Sequence, residues 1–343
     1  MPLSFQVLIA FLQATNAGCP LDADQPLFEC DEVLEIELEL PLRTLKREAE
    51  GRPELDAILR FTDADGQAVE LEAKVTTRGH SRLEMCSFPP LSLLTKKGDV
   101  KDTLFAGQKK LKIVMPCQRG GRYLEYLRQE YGIYKAYEAV AEPAFRVRLL
   151  NITFRDSERD DSEEYVAFFI ESIKEVAERS GLERIKLNRV DPERLDSRNS
   201  SIYELFQFMI ANTDWSKSKG PGEEDCCHNG KVLAPPDSED GWFVLPYDFD
   251  QSGIINTEYA VPSDNLSLRS VRQRLFRGRC DFIGEMDDTI ALFNERRSDI
   301  EAALSSGGVT NYTDRSQRKF VDKFYEIVND AKKRKKQIDD KCR

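Results

Sequence analysis

Asn212, Asp214, Asn229, Asp248 and Asp250 are the residues of this chain whose types and spacing fit phosphoryl chemistry. Asn212-Thr213-Asp214 follows directly on an apolar stretch, and Asn229 follows a polar segment containing Gly and Pro. Asp248 and Asp250 end the apolar run Trp242 to Leu245, within Pro246-Tyr247-Asp248-Phe249-Asp250. Phosphoryl transfer needs one carboxylate to accept or orient the attacking hydroxyl. A second carboxylate, with an amide, holds the magnesium that bridges the phosphates. Magnesium keeps several waters, so two or three such ligands suffice. Each motif alone also fits a capping or strand-end turn; their order and spacing together fit the chemistry. Arg78 is a candidate phosphate contact, because the adjacent Gly79 lets backbone approach a ligand closely. Arg82, Arg146 and Arg148 are further cations able to meet phosphate, although alternating arginines at 146 and 148 fit a solvent face or carboxylate partners better. His228 beside Cys227 makes a poor thiol dyad, since adjacent side chains rarely point the same way.

The elements that must position these residues follow from hydrophobic periodicity. Val33 to Leu40 alternates apolar and acidic residues, as a half-buried strand does. Ala57 to Phe61 and Ala68 to Thr76 form a hairpin around Asp65-Gly66. Leu91 to Leu94 and Lys110 to Met115 are short strands, and Tyr123 to Glu138 has helical spacing. Phe145 to Phe154 and Tyr165 to Ile170 predict an antiparallel pair, and Ile173 to Arg179 starts a helix. Ser201 to Ala211, Leu268 to Phe276, Cys280 to Arg296 and Arg315 to Lys336 are helical in pattern, and Trp242 to Leu245 is a strand. Trp242, Phe168 and Phe169 belong to the core. A β-rich first half and a helix-rich second half predict an α+β chain of two lobes, divided near Glu171 to Arg184. A ligand is expected where the lobes meet.

The 343 residues are 40% hydrophobic and 32% charged, with 50 Lys and Arg against 61 Asp and Glu. A net charge of -11 argues against a nucleic-acid partner, which needs a basic footprint, and against an anionic membrane surface. The basic run Lys332 to Lys336 reads as a solvated helix end. Leu3 to Leu12 has the length of a signal-peptide core, and Ala17 ends a small-residue cleavage pattern, so residues 1–17 are expected to be removed on export to periplasm, cell surface or medium. A lipid anchor on Cys19 is the other reading. No segment is long and apolar enough to predict a membrane span. Eight cysteines in an exported chain predict disulfides. Placement pairs Cys86 with Cys117, and one of Cys226 or Cys227 with Cys280; adjacent cysteines rarely bond to each other.

The chain resembles the CotH (spore-coat protein H) kinase-like family, an exported bacterial branch. The likeness runs through Asn212-Thr213-Asp214, Asn229 and Pro246-Tyr247-Asp248-Phe249-Asp250, through Arg78-Gly79-His80 at a strand end, through Tyr165 to Glu171, and through the Cys86 to Leu91 and Asp248 to Gly253 segments. It spans roughly residues 76–280. The resemblance implies a two-lobed atypical protein-kinase-like fold over residues 18–343, with a β-rich lobe over about 25–171 and a helical lobe over about 172–343. It implies an ATP- and Mg2+- or Mn2+-dependent kinase acting on a protein or other hydroxyl. Asp214 would be the catalytic aspartate, with Asn229, Asp248 and Asp250 as metal ligands. Asn212, Arg78, Lys110 or Lys112 paired with Glu130, and Glu171 beside the adenine would bind the nucleotide. The chain departs from the family at His80, at Phe88-Pro89-Pro90, at Trp215, in the Ser216 to Cys227 insertion and in lacking a Gly-rich loop. The competing expectations are an inactive kinase-like binding or structural protein of the cell envelope, and an exported calcium- or magnesium-binding protein.

Overall fold

The computed structural model describes residues 26–343, except 64, 65, 80, 97, 221–224 and 264. The signal-like segment, Cys19 and His80 lie outside the described residues. Alternating burial makes β1 (Leu34–Leu40) a half-buried strand, followed by α1 (Leu42–Arg47) and the antiparallel pair β2 (Leu55–Thr62) and β3 (Ala68–Thr77). Next come α2 (Ser81–Met85), β4 (Leu91–Thr95), β5 (Lys110–Val114), α3 (Gly121–Glu138), β6 (Val147–Asp156) and β7 (Ser162–Ile170). The strand order β1-β2-β3-β4-β5-β7-β6 closes on itself. The closing seam is parallel, with Ile36 of β1 opposite Ile152 of β6.

Period-two alternation sorts the barrel's side chains. Leu38, Leu59, Leu93, Ile113, Leu150 and Phe169 fill the interior, where Phe88 also packs against Phe154 and Tyr165. Val114, Leu149, Phe168 and Ile170 point outward from the same strands into a second core. The second half covers that outer wall: α4 (Ile173–Arg179), β8 (Glu183–Ile185), α5 (Ser197–Met209), β9 (Gly230–Ala234), β10 (Phe243–Pro246), α6 (Met286–Glu295), α7 (Arg297–Ser305), α8 (Asn311–Val328) and α9 (Ala331–Gln337). In that core Phe249 and Phe206 pack on Tyr134 and Tyr137 of α3, and Phe324 packs on Phe208 and Phe293. β10, β9 and β8 form a small antiparallel sheet. Backbones of α3 and α7 touch closely: a Cβ on Gly132 would lie 2.6 Å from the Leu304 carbonyl oxygen.

The α+β composition stands, but the two-lobed kinase-like fold does not. The edges of the β-rich half find each other through β1 and β6, and the sheet closes into a seven-stranded barrel. Its outer wall shares one core with the helices, so no break falls near Glu171. Residues 268–276 are irregular, not helical, and the expected helix from 315 to 336 breaks at Asp330, whose side chain caps α9. Arg148 is fully buried, donating to the Leu27 and Glu32 carbonyls, and is no solvent-facing residue.

Disulfides join Cys86 to Cys117, as expected, Cys226 to Cys227, and Cys280 to Cys342. Cys280 therefore does not reach the adjacent pair; the end of the chain, 62 residues on, takes it instead. No helix among the described residues is long and apolar enough to cross a membrane.

Ser172 opens α4 with a capping box: its hydroxyl accepts from the Glu175 N–H, and the Glu175 carboxylate accepts from the Ser172 N–H, both at 3.2 Å. Ser172→Ala is expected to lower unfolding free energy by about 1 kcal/mol in urea titrations, with Ser172→Thr near wild type. Equal loss in both variants would show that the cap is not the cause.

Candidate functional site

Asp214 sits in a loop that its own sequence ties. Asn212 Oδ1 accepts from the Asp214 N–H at 3.0 Å, an Asx turn, and the Trp215 indole donates to the Asn212 carbonyl at 3.0 Å. The loop then meets the start of β9. His228 Nε2 lies 2.7 Å from Asp214 Oδ1, and Asn229 Nδ2 donates to Asp214 Oδ2 at 2.9 Å and to its carbonyl at 2.8 Å. The Asp214 bond raises the His228 pKa above its ordinary value, against burial. Arg277 donates to the Thr213 and Trp215 carbonyls on either side of Asp214.

Asp248 follows β10. Its N–H donates to the Tyr134 hydroxyl of α3 at 2.8 Å. Ala211, Asn229 and Asp248 all have positive φ, at 52°, 49° and 64°. Alanine rarely adopts that conformation, and such residues collect at functional sites. Asp250 is buried, with its carboxylate 3.9 Å from Arg82, which also lies 4.0 Å from Glu130 of α3. Burial raises the pKa of both carboxyls. Asp248 adds to the rise at Asp250, while Arg82 pulls both down. Burial opposes the charge of Arg82, yet Asp250 and Glu130 hold its pKa above the ordinary value.

Cations lie within reach of these carboxylates. Lys112 projects from the outer wall of β5, with its ammonium 4.7 Å from the Tyr247 ring centre. Burial, then Arg78 and Lys231, push its pKa down to about 7, and Asp248 partly offsets them. Arg78 is anchored by its Nε to the Leu91 carbonyl at 2.9 Å. The result is a cluster of mixed charge: Arg78, Lys112, Lys231 and Arg82 with Asp248, Asp250, Glu130 and Asp214.

The fold thus brings together Arg78, Lys112, Glu130, Asp214, Asn229, Asp248 and Asp250. Glu130 faces Arg82 and pairs with neither strand lysine, because α2 delivers that arginine first. Lys110 is exposed two residues along β5 from Lys112. Asn212 is buried, and its side chain serves the turn. Glu171 is buried with its carboxylate bound by Arg179 and by the Arg146 N–H. Lys231, Tyr134 and Tyr259, whose hydroxyl lies beside the Asp250 carboxylate, carry no motif in the sequence, and His228, weighed there only as a thiol partner, belongs to Asp214. The spacing of His228-Asn229-Gly230-Lys231 around a predicted ligand was the only available signal.

Cys227, bonded to Cys226, offers no thiol for a dyad with His228. Among the described residues no three of His, Cys, Asp and Glu converge as a preformed metal set. The donor chemistry still suits magnesium brought in by phosphates, which needs only one or two carboxylates from protein. Asp248 and Asp250 are close enough to interact, and Asn229 spends its amide N–H on Asp214, leaving Oδ1 as an acceptor. No family model matches this chain, and no curated protein matches it.

Proposed function

We propose that this chain binds a metal-complexed nucleoside triphosphate and transfers its terminal phosphoryl group to a hydroxyl of a protein or other acceptor. One observation carries the reading: the cations Arg78 and Lys112 lie within electrostatic reach of Asp248, which in turn lies close to Asp250, in one cluster with the fixed Asp214. Lys112 and Arg78 hold phosphate oxygens. Asp248, Asp250 and Asn229 Oδ1 would hold Mg2+ or Mn2+, whose chemistry is to neutralise charge on the phosphates. Asp214 orients the acceptor hydroxyl and takes its proton, while His228 and Asn229 fix the carboxylate's direction. The acceptor oxygen gains the phosphoryl group and the diphosphate leaves.

A second reading, binding without transfer, is favoured by the two donors already on the Asp214 carboxylate. The disulfides and the signal-like first residues support an exported protein in an oxidising compartment.

The test is thermal denaturation of the oxidised protein with ATP, with and without Mg2+ or Mn2+, beside Asp248→Ala. ATP with metal at about 100 times its Kd should stabilise the wild type by about 2.7 kcal/mol, and the variant not at all. Stabilisation surviving in Asp248→Ala would remove Asp248 from the site, and none in the wild type would end both readings. Transfer of labelled phosphate to an added protein separates the two readings.

A further inference from the structure

We propose that Arg78, Lys112, Arg184 and Lys231 form a receiving surface for a polyphosphate chain, inorganic or carried by a nucleotide, held by charge without recognition of a base. The inference rests on the cluster read above and names the class of its phosphate-bearing ligand.

Lys112 from β5 and Lys231 from β9 come from separate sheets, yet both ammonium groups lie on the Tyr247 ring, at 4.7 and 4.9 Å from its centre. Arg184 of β8 and Arg78 at the end of β3 are near enough to repel the Lys112 charge. Among the described residues, neither Arg78, Lys112 nor Arg184 has a carboxylate at ion-pair distance, in a chain with 61 acidic residues. Asp248 offsets part of the repulsion on Lys112. Like charges held together by the fold raise one another's free energy, and a polyanion relieves all of them at once. Arg78, Lys112 and Lys231 are half-buried and Arg184 is exposed, so the group opens to solvent, and four cations suit several linked phosphates better than one. The chain's overall negative charge does not prevent this, because exposed charges beyond about 8 Å are screened at physiological salt. Glu171, the residue expected at an adenine, spends its carboxylate on Arg179 and the Arg146 N–H, so it is not available to read a base.

Calorimetric titration of the full chain in divalent-free buffer should give affinity rising from phosphate to pyrophosphate to tripolyphosphate, with ATP and GTP within a few-fold of tripolyphosphate. Lys231→Ala should weaken tripolyphosphate binding about tenfold, and the exposed Arg184→Ala several-fold, as loss of charge-assisted contacts does. Lys332→Ala, in the basic run of α9, should leave it unchanged, and circular dichroism checks each fold. Equal affinity in Lys231→Ala, Arg184→Ala and wild type would overturn the proposal. So would ATP binding without tripolyphosphate binding, which would show that a base is read. The Asp248→Ala variant separates the two ideas. Metal-free tripolyphosphate binding that persists there, while metal-dependent stabilisation by ATP is absent even from the wild type, would sink phosphoryl transfer and leave the polyphosphate surface standing.

Discussion

Lys217→Met is expected to lower unfolding free energy by about 3–5 kcal/mol, because it strands a charge inside the protein. Lys217 Nζ lies 2.7 Å from Glu204 Oε1, and the two side chains are only 5% and 1% exposed. Burial lowers the pKa of Lys217 and raises that of Glu204, each against the pull of its partner. The ammonium also lies 4.3 Å from the Phe282 ring centre, and Glu204 accepts from the Arg279 N–H at 3.2 Å. Glu204 sits on α5 and Lys217 three residues beyond Asp214, so the pair pins the loop that presents Asp214. Removing one partner of a buried pair costs far more than removing both. Lys217→Met/Glu204→Gln keeps an acceptor for Arg279 and should recover most of the loss in urea titrations. Hydrogen exchange at residues 214–218 should speed up in the single variant and return in the double. Additive losses in the double variant would mean that the pair is not the cause.

Strands of the barrel were legible in two ways: apolar side chains alternate along Leu34–Leu40, and Tyr165 to Ile170 of β7 is an unbroken apolar run. Closure was not, since nothing local in β1 or β6 announces a parallel partner more than a hundred residues away. The three residues of β8 are too few to show a period, and its place is set by β9. Residues 268–276 carry helical spacing, but their arginines answer to other parts of the chain. Arg274 donates to the Met209 and Phe320 carbonyls, and Arg277 to those of Thr213 and Trp215. Such bonds fix an irregular path that propensity does not encode. At the site, Asp214, Asn229, Asp248 and Asp250 were legible as hard oxygen donors around a short strand. The partner of Glu130 was not, because Arg82 reaches it from a different element across 48 positions of sequence. The partner of Glu171, which the resemblance places beside the adenine, was hidden for the same reason: Arg179 reaches it from α4, eight residues on.

Arg179→Met should therefore cost about 3–4 kcal/mol near pH 8 and much less near pH 5. Arg179 donates to both Glu171 oxygens, at 2.8 and 3.1 Å, and the Arg146 N–H donates to the second at 3.1 Å. Burial raises the Glu171 pKa above its ordinary value, although Arg179 pulls it down. A carboxyl whose folded pKa lies above its unfolded value contributes stability that is full below the unfolded value and lost as pH rises through the folded one. Without Arg179 the folded value climbs further, so the deficit opens as pH rises through the wild-type folded value, above the ordinary carboxyl range, and widens until the variant's own folded value is passed. Urea titrations at both pH values measure it, and a deficit that does not change with pH would point to lost packing alone. Glu171→Gln tests the ligand question directly. It removes the buried charge and keeps the shape, so stability should fall while stabilisation by metal and ATP stays as in wild type. With Glu171 spent on Arg179, the polyphosphate proposal expects a nucleotide at this cluster to be selected by its phosphates. Loss of nucleotide binding in a folded Glu171→Gln protein would instead place a base beside β7.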